Sequence, residues 1–270
     1  MKRIVQHMAA AGLFAAAAFG AQADPLDLSG WSQLTLNFPG GQGAGNWVLG
    51  GGNTEVTQTV NADPSFYMNN LNFTSYSMNG TWQVLERGGD DDYMGFAFGF
   101  QNSSNFYLFD WKQSSQGYVG RTAAEGMTIK KFTGATGNGL TDLSLEEFWE
   151  NQVDFGDMDV LATNHGGDKG WVDTVLYDFQ LDFNLVPGEI HIVVMQGDTV
   201  LWDVTVNDMT FTAGQFGFFN NSQAQVRYAG FEQDGGVIVD PTVPEPATLG
   251  VLGMALAGLA AGRRRRRQAL

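Results

Sequence analysis

From Trp171 to Asn184 the chain alternates. Trp171, Asp173, Val175, Tyr177, Phe179, Leu181 and Phe183 fall on one side of an extended backbone, and Val172, Thr174, Leu176, Asp178, Gln180, Asp182 and Asn184 on the other. A two-residue period places alternate side chains on opposite faces of a pleated strand, whereas a helix would scatter them around its axis. The spacing therefore predicts a half-buried strand over 171–184 with an aromatic inner face. Val186-Pro187-Gly188 breaks it, 189–195 resumes it, Gln196-Gly197-Asp198 turns, and 199–206 returns, so three successive strands make a meander. In 95–101, Phe96, Phe98 and Phe100 share one face and Gly95, Ala97 and Gly99 the other, which sets the bulky face toward a core and the small one toward a covering sheet or a concave surface. Asn102-Ser103-Ser104-Asn105 is the turn and 106–113 the returning strand. Further strands are predicted over 31–38, 54–60, 71–86, 126–132, 215–219 and 224–232. One short helix is expected after Ser144, which has capping-box spacing to Glu147 ahead of Phe148 and Trp149. Nothing recurs with a solenoid or propeller period. The body is thus expected to be one all-β sandwich.

Composition supports a packed domain and removes several chemistries. Hydrophobic residues make up 43% of the chain and aromatic ones 13%, enough apolar surface to offset ordering entropy. With no cysteine there are no disulfides, thiolate zinc sites, iron–sulfur clusters or cysteine nucleophiles. The formal net charge is −15, and half of the 14 basic residues (Lys2, Arg3 and Arg263 to Arg267) stand at the two ends, while all 29 acidic ones lie between Asp24 and Glu245. So acidic a body does not suit a nucleic-acid backbone as partner.

Both ends read as addresses. Residues 1–23 combine a basic start, an apolar stretch and Ala21-Gln22-Ala23, the layout of a cleaved secretory signal, and the mature chain is expected to begin at Asp24. Residues 237–243 read as a linker. Beyond them, Pro244-Glu245-Pro246 is followed by apolar and small residues over 247–262 and then by five arginines. As a helix, 247–262 would reach about 24 Å, short of a roughly 30 Å hydrocarbon core, and the arginines would hold its end on the cytoplasmic side. Motif, short helix and basic cluster in this order, over 244–270, resemble the PEP-CTERM sorting signal of Gram-negative bacteria. That resemblance implies transient inner-membrane contact through 247–262, recognition and processing by an exosortase, and delivery to the cell surface or extracellular matrix.

Catalytic patterns are weak. There is no G-x-S-x-G elbow, and apart from His7 in the leader only His165, placed in a loop, and His191, on a strand face, remain. The E-x-D-x-x-E strand of sandwich-type glycosidases is absent, and Glu146, Glu147 and Glu150 are expected to form a solvated helix face. Acidic loops stand out instead. Asp90, Asp91 and Asp92 follow Gly88-Gly89 directly before a strand, Asp154, Asp157 and Asp159 form a second acidic loop, and Asp63 and Asp110 adjoin other strand ends. Three adjacent carboxylates repel unless they are solvated or neutralised, and calcium takes six to eight oxygen ligands from such glycine-flexed loops. Spacing alone leaves open whether the Asp90 to Asp92 run binds calcium or is a solvated turn.

The stretches NWVLGGGNTEVTQTVNADPSFY (46–67) and MNGTWQVLERGGDDDYMGFAFGFQNSSNFYLFDWKQ (78–113) resemble the thrombospondin C-terminal domain, with weaker similarity through Gly170-Trp171, 190–203 and 215–232. The resemblance implies a concanavalin A-like, L-type-lectin-like jelly-roll β-sandwich over 24–236 that binds Ca2+ and serves extracellular adhesion without catalysis. By the matching acidic run it makes Asp90, Asp91 and Asp92 the foremost metal candidates; Asp63 and Asp110 are added from their position. The family's disulfide cysteines correspond to Ala62 and to a position near Gln233, so that bridge is missing. The expected function is a non-catalytic, calcium-binding exported protein that contacts extracellular polysaccharide or a surface protein. A calcium-dependent carbohydrate-binding lectin, or less favourably a polysaccharide-processing enzyme, are the alternatives.

Overall fold

A computed structural model describes residues 25–87 and 89–235. The leader and the sorting segment lie outside these described residues. The strands in chain order are β1 (Ser32–Thr35), β2 (Trp47–Gly50), β3 (Glu55–Gln58), β4 (Ser65–Met68), β5 (Tyr76–Val84), β6 (Tyr93–Asn102), β7 (Asn105–Lys112), β8 (Gln116–Tyr118), β9 (Arg121–Ala123), β10 (Gly126–Thr133), β11 (Met158–His165), β12 (Tyr177–Phe183), β13 (Glu189–Gln196), β14 (Thr199–Asn207), β15 (Gln215–Asn221) and β16 (Val226–Gly235). Two short helices, α1 (Gly139–Asp142) and α2 (Leu145–Trp149), sit between β10 and β11. One seven-stranded sheet runs β1-β4-β15-β6-β7-β10-β11, and a second runs β14-β13-β12-β5-β16-β3-β2. The β8–β9 hairpin stands apart. The meander β12-β13-β14 ends one edge of the second sheet, as the alternating sequence requires.

The inner faces of the sheets meet in an aromatic core. Trp82 of β5 stacks on Phe179 of β12 with ring centroids 4.8 Å apart, and Phe96 of β6 stacks on Phe109 of β7 at 4.9 Å. Offset stacks of this kind add to the area each ring buries. A second core lies on the outer side of the first sheet, where Phe66, Tyr93, Phe106, Leu108 and Phe132 are covered by Phe148 and Trp149 of α2. The first sheet is therefore buried on both faces, which explains why β4 and most of β6 and β7 read as continuous apolar runs.

Four expectations need correction. The strand predicted over 171–184 begins only at Tyr177, because Thr174 takes φ 61° and turns the chain; Trp171 is nevertheless buried, its indole N–H donating to the Asp92 carbonyl. The strand predicted over 71–86 starts at Tyr76. In β6 the alternation fails at Gly99, whose φ of 55° accompanies a register shift against β7, so that Phe96 and Phe98 enter the inter-sheet core and Phe100 joins Ala97 in the outer one. A positive φ there is a conformation glycine adopts at little cost. Finally, Glu147 and Glu150 are buried. Glu147 Oε2 accepts from the Ser144 amide and hydroxyl, closing the predicted capping box, and Glu150 Oε2 lies 3.9 Å from Arg121.

Candidate metal centre

The turn that leaves β5 and enters β6 carries Asp90, Asp91 and Asp92. One carboxylate oxygen from each lies within 4.8 Å of the other two, the one such acidic group among the described residues. Their order follows from what surrounds them. Asp92 is anchored by its backbone N–H, which donates to Gln223 Oε1, and by the Trp171 indole on its carbonyl. Asp91 accepts from the Ser114 hydroxyl, and Asp90 from the Asn61 side-chain amide. Lys112, at the end of β7 and fully buried, sends its ammonium into the turn, 3.0 Å from Asp91 Oδ1, 2.8 Å from Asp92 Oδ1 and 2.8 Å from the Asp91 carbonyl.

These contacts split the three acids. Burial raises the Asp91 carboxyl, but Ser114 and Lys112 outweigh it and hold the group below its ordinary value. Burial pushes Asp92 up to about 7, with Lys112 opposing and contact with Asp90 adding to the rise. Once all three carboxylates are ionised, the one ammonium leaves about two negative charges, which one calcium ion would neutralise. Asp63 lies on the neighbouring β3–β4 loop. Its Oδ1 accepts from the Gln42 amide at 2.9 Å, while its Oδ2 is buried with no hydrogen-bond donor. Gln42 in turn donates to the Ser222 hydroxyl. A cavity of about 160 Å³ lined by Gln42, Asp90, Asp92 and Ser222 adjoins the turn. Asp63 is not among the three converging carboxylates and does not line that cavity; the excess negative charge of the turn and the room beside it fit a hard, oxygen-seeking cation.

Asp110 is placed differently. It points into the outer core, where its Oδ2 lies 2.7 Å from Lys130 Nζ with both side chains fully buried. Burial pushes Asp110 up and Lys130 down. Asp154 accepts from the Val160 amide and Asp159 pairs with Lys131 at 3.1 Å, so the second acidic loop is engaged with the protein itself. Lys112, Asn61, Ser114 and Ser222 were not legible as site residues. Lys112 had a signal: on β7 it follows Phe106, Leu108 and Asp110 on a buried face, and a buried ammonium needs a counter-charge.

The two histidines make structural contacts. His165 belongs to the end of β11 rather than to a loop, with Nε2 3.0 Å from Thr128 Oγ1. His191 on β13 bridges two carboxylates, Nδ1 3.2 Å from Asp182 and Nε2 2.9 Å from Asp203. Burial lowers its pKa, but the hydrogen bonds to Asp203 and Asp182 and their charges hold it above the ordinary value. A histidine raised in this way stabilises the fold fully below its unfolded pKa of about 6.5, and that stabilisation is lost as pH rises through the folded value. In urea melts, wild type should exceed His191→Gln in stability at pH 5.5, and the gap should close toward pH 8.5; a constant gap would mean that packing alone holds His191.

The fold and the site define a two-sheet all-β sandwich with an acidic turn between β5 and β6. Residues 42–234 match the thrombospondin C-terminal region, and the chain belongs to that family. Residues 242–267 match the PEP-CTERM protein-sorting motif, which implies export, surface sorting and exosortase processing. The chain is 32% identical over 212 residues to Thrombospondin-1 of Xenopus laevis, covering 76% of this chain and 17% of that protein. It is 31% identical over 206 residues to Thrombospondin-4 of Bos taurus, covering 74% and 21%. The chain thus spans about a fifth or less of the length of these relatives. Among solved structures, the VIP36 exoplasmic/lumenal domain in its Ca2+/Man3GlcNAc-bound form superposes with a TM-score of 0.48 at 8% identity, covering 82% of this chain and 90% of that one. The carbohydrate binding module CBM66 from Bacillus subtilis gives 0.46 at 13% identity, covering 76% and 96%.

The structure also bears on the missing bridge. Ala62, whose carbonyl accepts from Ser222 N–H, lies beyond the end of β3 that pairs with Val226, whereas Gln233 pairs with Met78 further along β16. Seven residues of strand separate those ends by about 20 Å, too far for a disulfide at these two positions.

Proposed function

We propose that this protein is a non-catalytic, calcium-binding adhesion or matrix protein, exported by a Gram-negative bacterium and held at its surface or in its exopolysaccharide. The thrombospondin C-terminal region is typically non-catalytic, and the sorting motif supports export and surface delivery. The observation that carries the calcium assignment is the convergence of Asp90, Asp91 and Asp92 within 4.8 Å of one another. Calcium would be held by Asp90, Asp91 and Asp92, with Asp63 outside that group, and would neutralise a turn that Lys112 balances only in part. Asp110 enters as a structural acid whose charge Lys130 meets. Inner-membrane contact through 247–262 precedes exosortase processing, and the partner is an extracellular polysaccharide or a surface protein.

The cellular test compares cells producing the wild-type chain with cells producing Asp90→Asn/Asp91→Asn/Asp92→Asn. Washing with chelator should release wild-type protein from the matrix into the medium, and the variant should be released even with calcium present. Retention of both proteins in chelator would contradict a calcium-dependent role.

A further inference from the structure

The outer face of the second sheet holds a groove of about 1260 Å³ to which the acidic turn contributes no residue. It arises from strand alternation. On β5, Ser77, Asn79 and Thr81 point outward between the buried Tyr76, Met78, Gly80 and Trp82, and on β12 Asp178 and Gln180 point outward between Tyr177, Phe179 and Leu181. With the inward set committed to the core, the outward set is polar. A bulge opens its middle. Between Ala229 and Glu232, β16 carries one more residue than β5 does opposite, and Gly230 there takes φ 66°; a Cβ on it would stand 3.8 Å from Thr81 Oγ1.

The lining is acidic as well as polar. It includes Asp178, Asp198, Glu232 and Asp234 and, among the described residues, no lysine or arginine. Asn79 donates to Glu232 at 3.3 Å, and Gln180 donates to Asp182 at 2.9 Å. Asp178 has neither a hydrogen bond nor an ion pair among the described residues, and burial raises its carboxyl with nothing opposing it. A half-buried carboxylate without a donor pays desolvation that a bound donor would recover. The backbones of β5, β12 and β16 are paired on both sides, so no strand can add here, which disfavours a peptide bound by β-augmentation. Side-chain amides, a hydroxyl and carboxylates are instead the groups that meet sugar hydroxyls and ammonium ions.

We propose that this groove binds an oligosaccharide segment bearing free amino groups, its ammonium set against Asp178 and the neighbouring carboxylates and its hydroxyls against Asn79, Thr81 and Gln180. Charge complementarity selects this ligand over uronate- or sulfate-bearing chains, which the lining repels. The proposal adds a ligand class to the matrix reading and relies on that reading only for where such a polymer is met; it needs no calcium.

The test is calorimetric titration of the purified protein in chelator with a glucosamine hexamer, an N-acetylglucosamine hexamer, an alginate oligomer and hexalysine. Binding of the glucosamine hexamer alone is expected, weakening as salt rises. Asp178→Asn should weaken it about tenfold or more and Thr81→Trp should block it, both variants keeping the wild-type melting temperature within a few degrees. Asp178→Asn changes charge at constant shape, so it remains informative even if Thr81→Trp perturbs the sheet. Equal binding of the acetylated hexamer, hexalysine binding as tightly, or an unchanged affinity in Asp178→Asn would overturn the proposal. Because calcium is absent throughout, a failure here is distinct from a failure of the calcium assignment.

Discussion

Replacing Lys130 with methionine is expected to cost about 3 to 5 kcal/mol, because it leaves Asp110 buried without its counter-charge. Both side chains are fully buried, and Lys130 Nζ also donates to the Phe148 carbonyl at 2.8 Å, tying β10 to α2. For a domain of this size each kcal/mol moves the melting temperature by roughly 2 to 4 °C, so the variant should melt about 10 °C lower. The double change Lys130→Met/Asp110→Leu should recover most of the loss, since apolar groups of similar volume often replace a buried ion pair at no net cost. Urea denaturation of the wild type, both single variants and the double variant gives the coupling. Single variants costing less than about 1 kcal/mol would mean that the pair is not desolvated as the structure has it.

Calcium should have the second large effect. If the ion is present at 100 times its dissociation constant, linkage adds about 2.7 kcal/mol, and the melting temperature should rise by about 5 to 10 °C over that in chelator. Asp90→Asn/Asp91→Asn/Asp92→Asn should lose this rise. In chelator the same variant should melt below the wild type, because it leaves the fully buried Lys112 ammonium without the Asp91 and Asp92 carboxylates it pairs with. The opposite sign in chelator would mean that repulsion among three carboxylates within 4.8 Å outweighs the ion pairs from Lys112 to Asp91 and Asp92, at 3.0 and 2.8 Å.

The sequence made most of the second sheet legible and less of the first, for a physical reason. β5, β12 and β13 face solvent on one side, so their side chains alternate and their strands can be read. The first sheet is covered on both sides: all four residues of β4 are buried, and Ser65-Phe66-Tyr67-Met68 shows no alternation to mark a strand. Gly99 and Thr174 break the period through positive φ angles, which no hydrophobic pattern announces. The acidic turn was visible as a run of like charges. Its counter-groups were not: Lys112 and Ser114 come from the end of β7 and the segment after it, Asn61 from the loop before β4, and Ser222 from the chain beyond β15, and only the folded topology brings them together. Glu147 and Glu150 read as a solvated face because charged residues cluster there, but α2 is the lid of the outer core and buries both.

The calcium assignment is tested most directly by titrating calcium into the purified, chelator-treated protein by calorimetry in two buffers of different ionisation enthalpy. Saturable binding is predicted for the wild type, with proton release near pH 7 as the ion displaces the proton that burial and Asp90 favour on Asp92. That binding should be absent from Asp90→Asn/Asp91→Asn/Asp92→Asn. Saturable binding that persists unchanged in the variant, or no binding to the wild type at millimolar calcium, would contradict it.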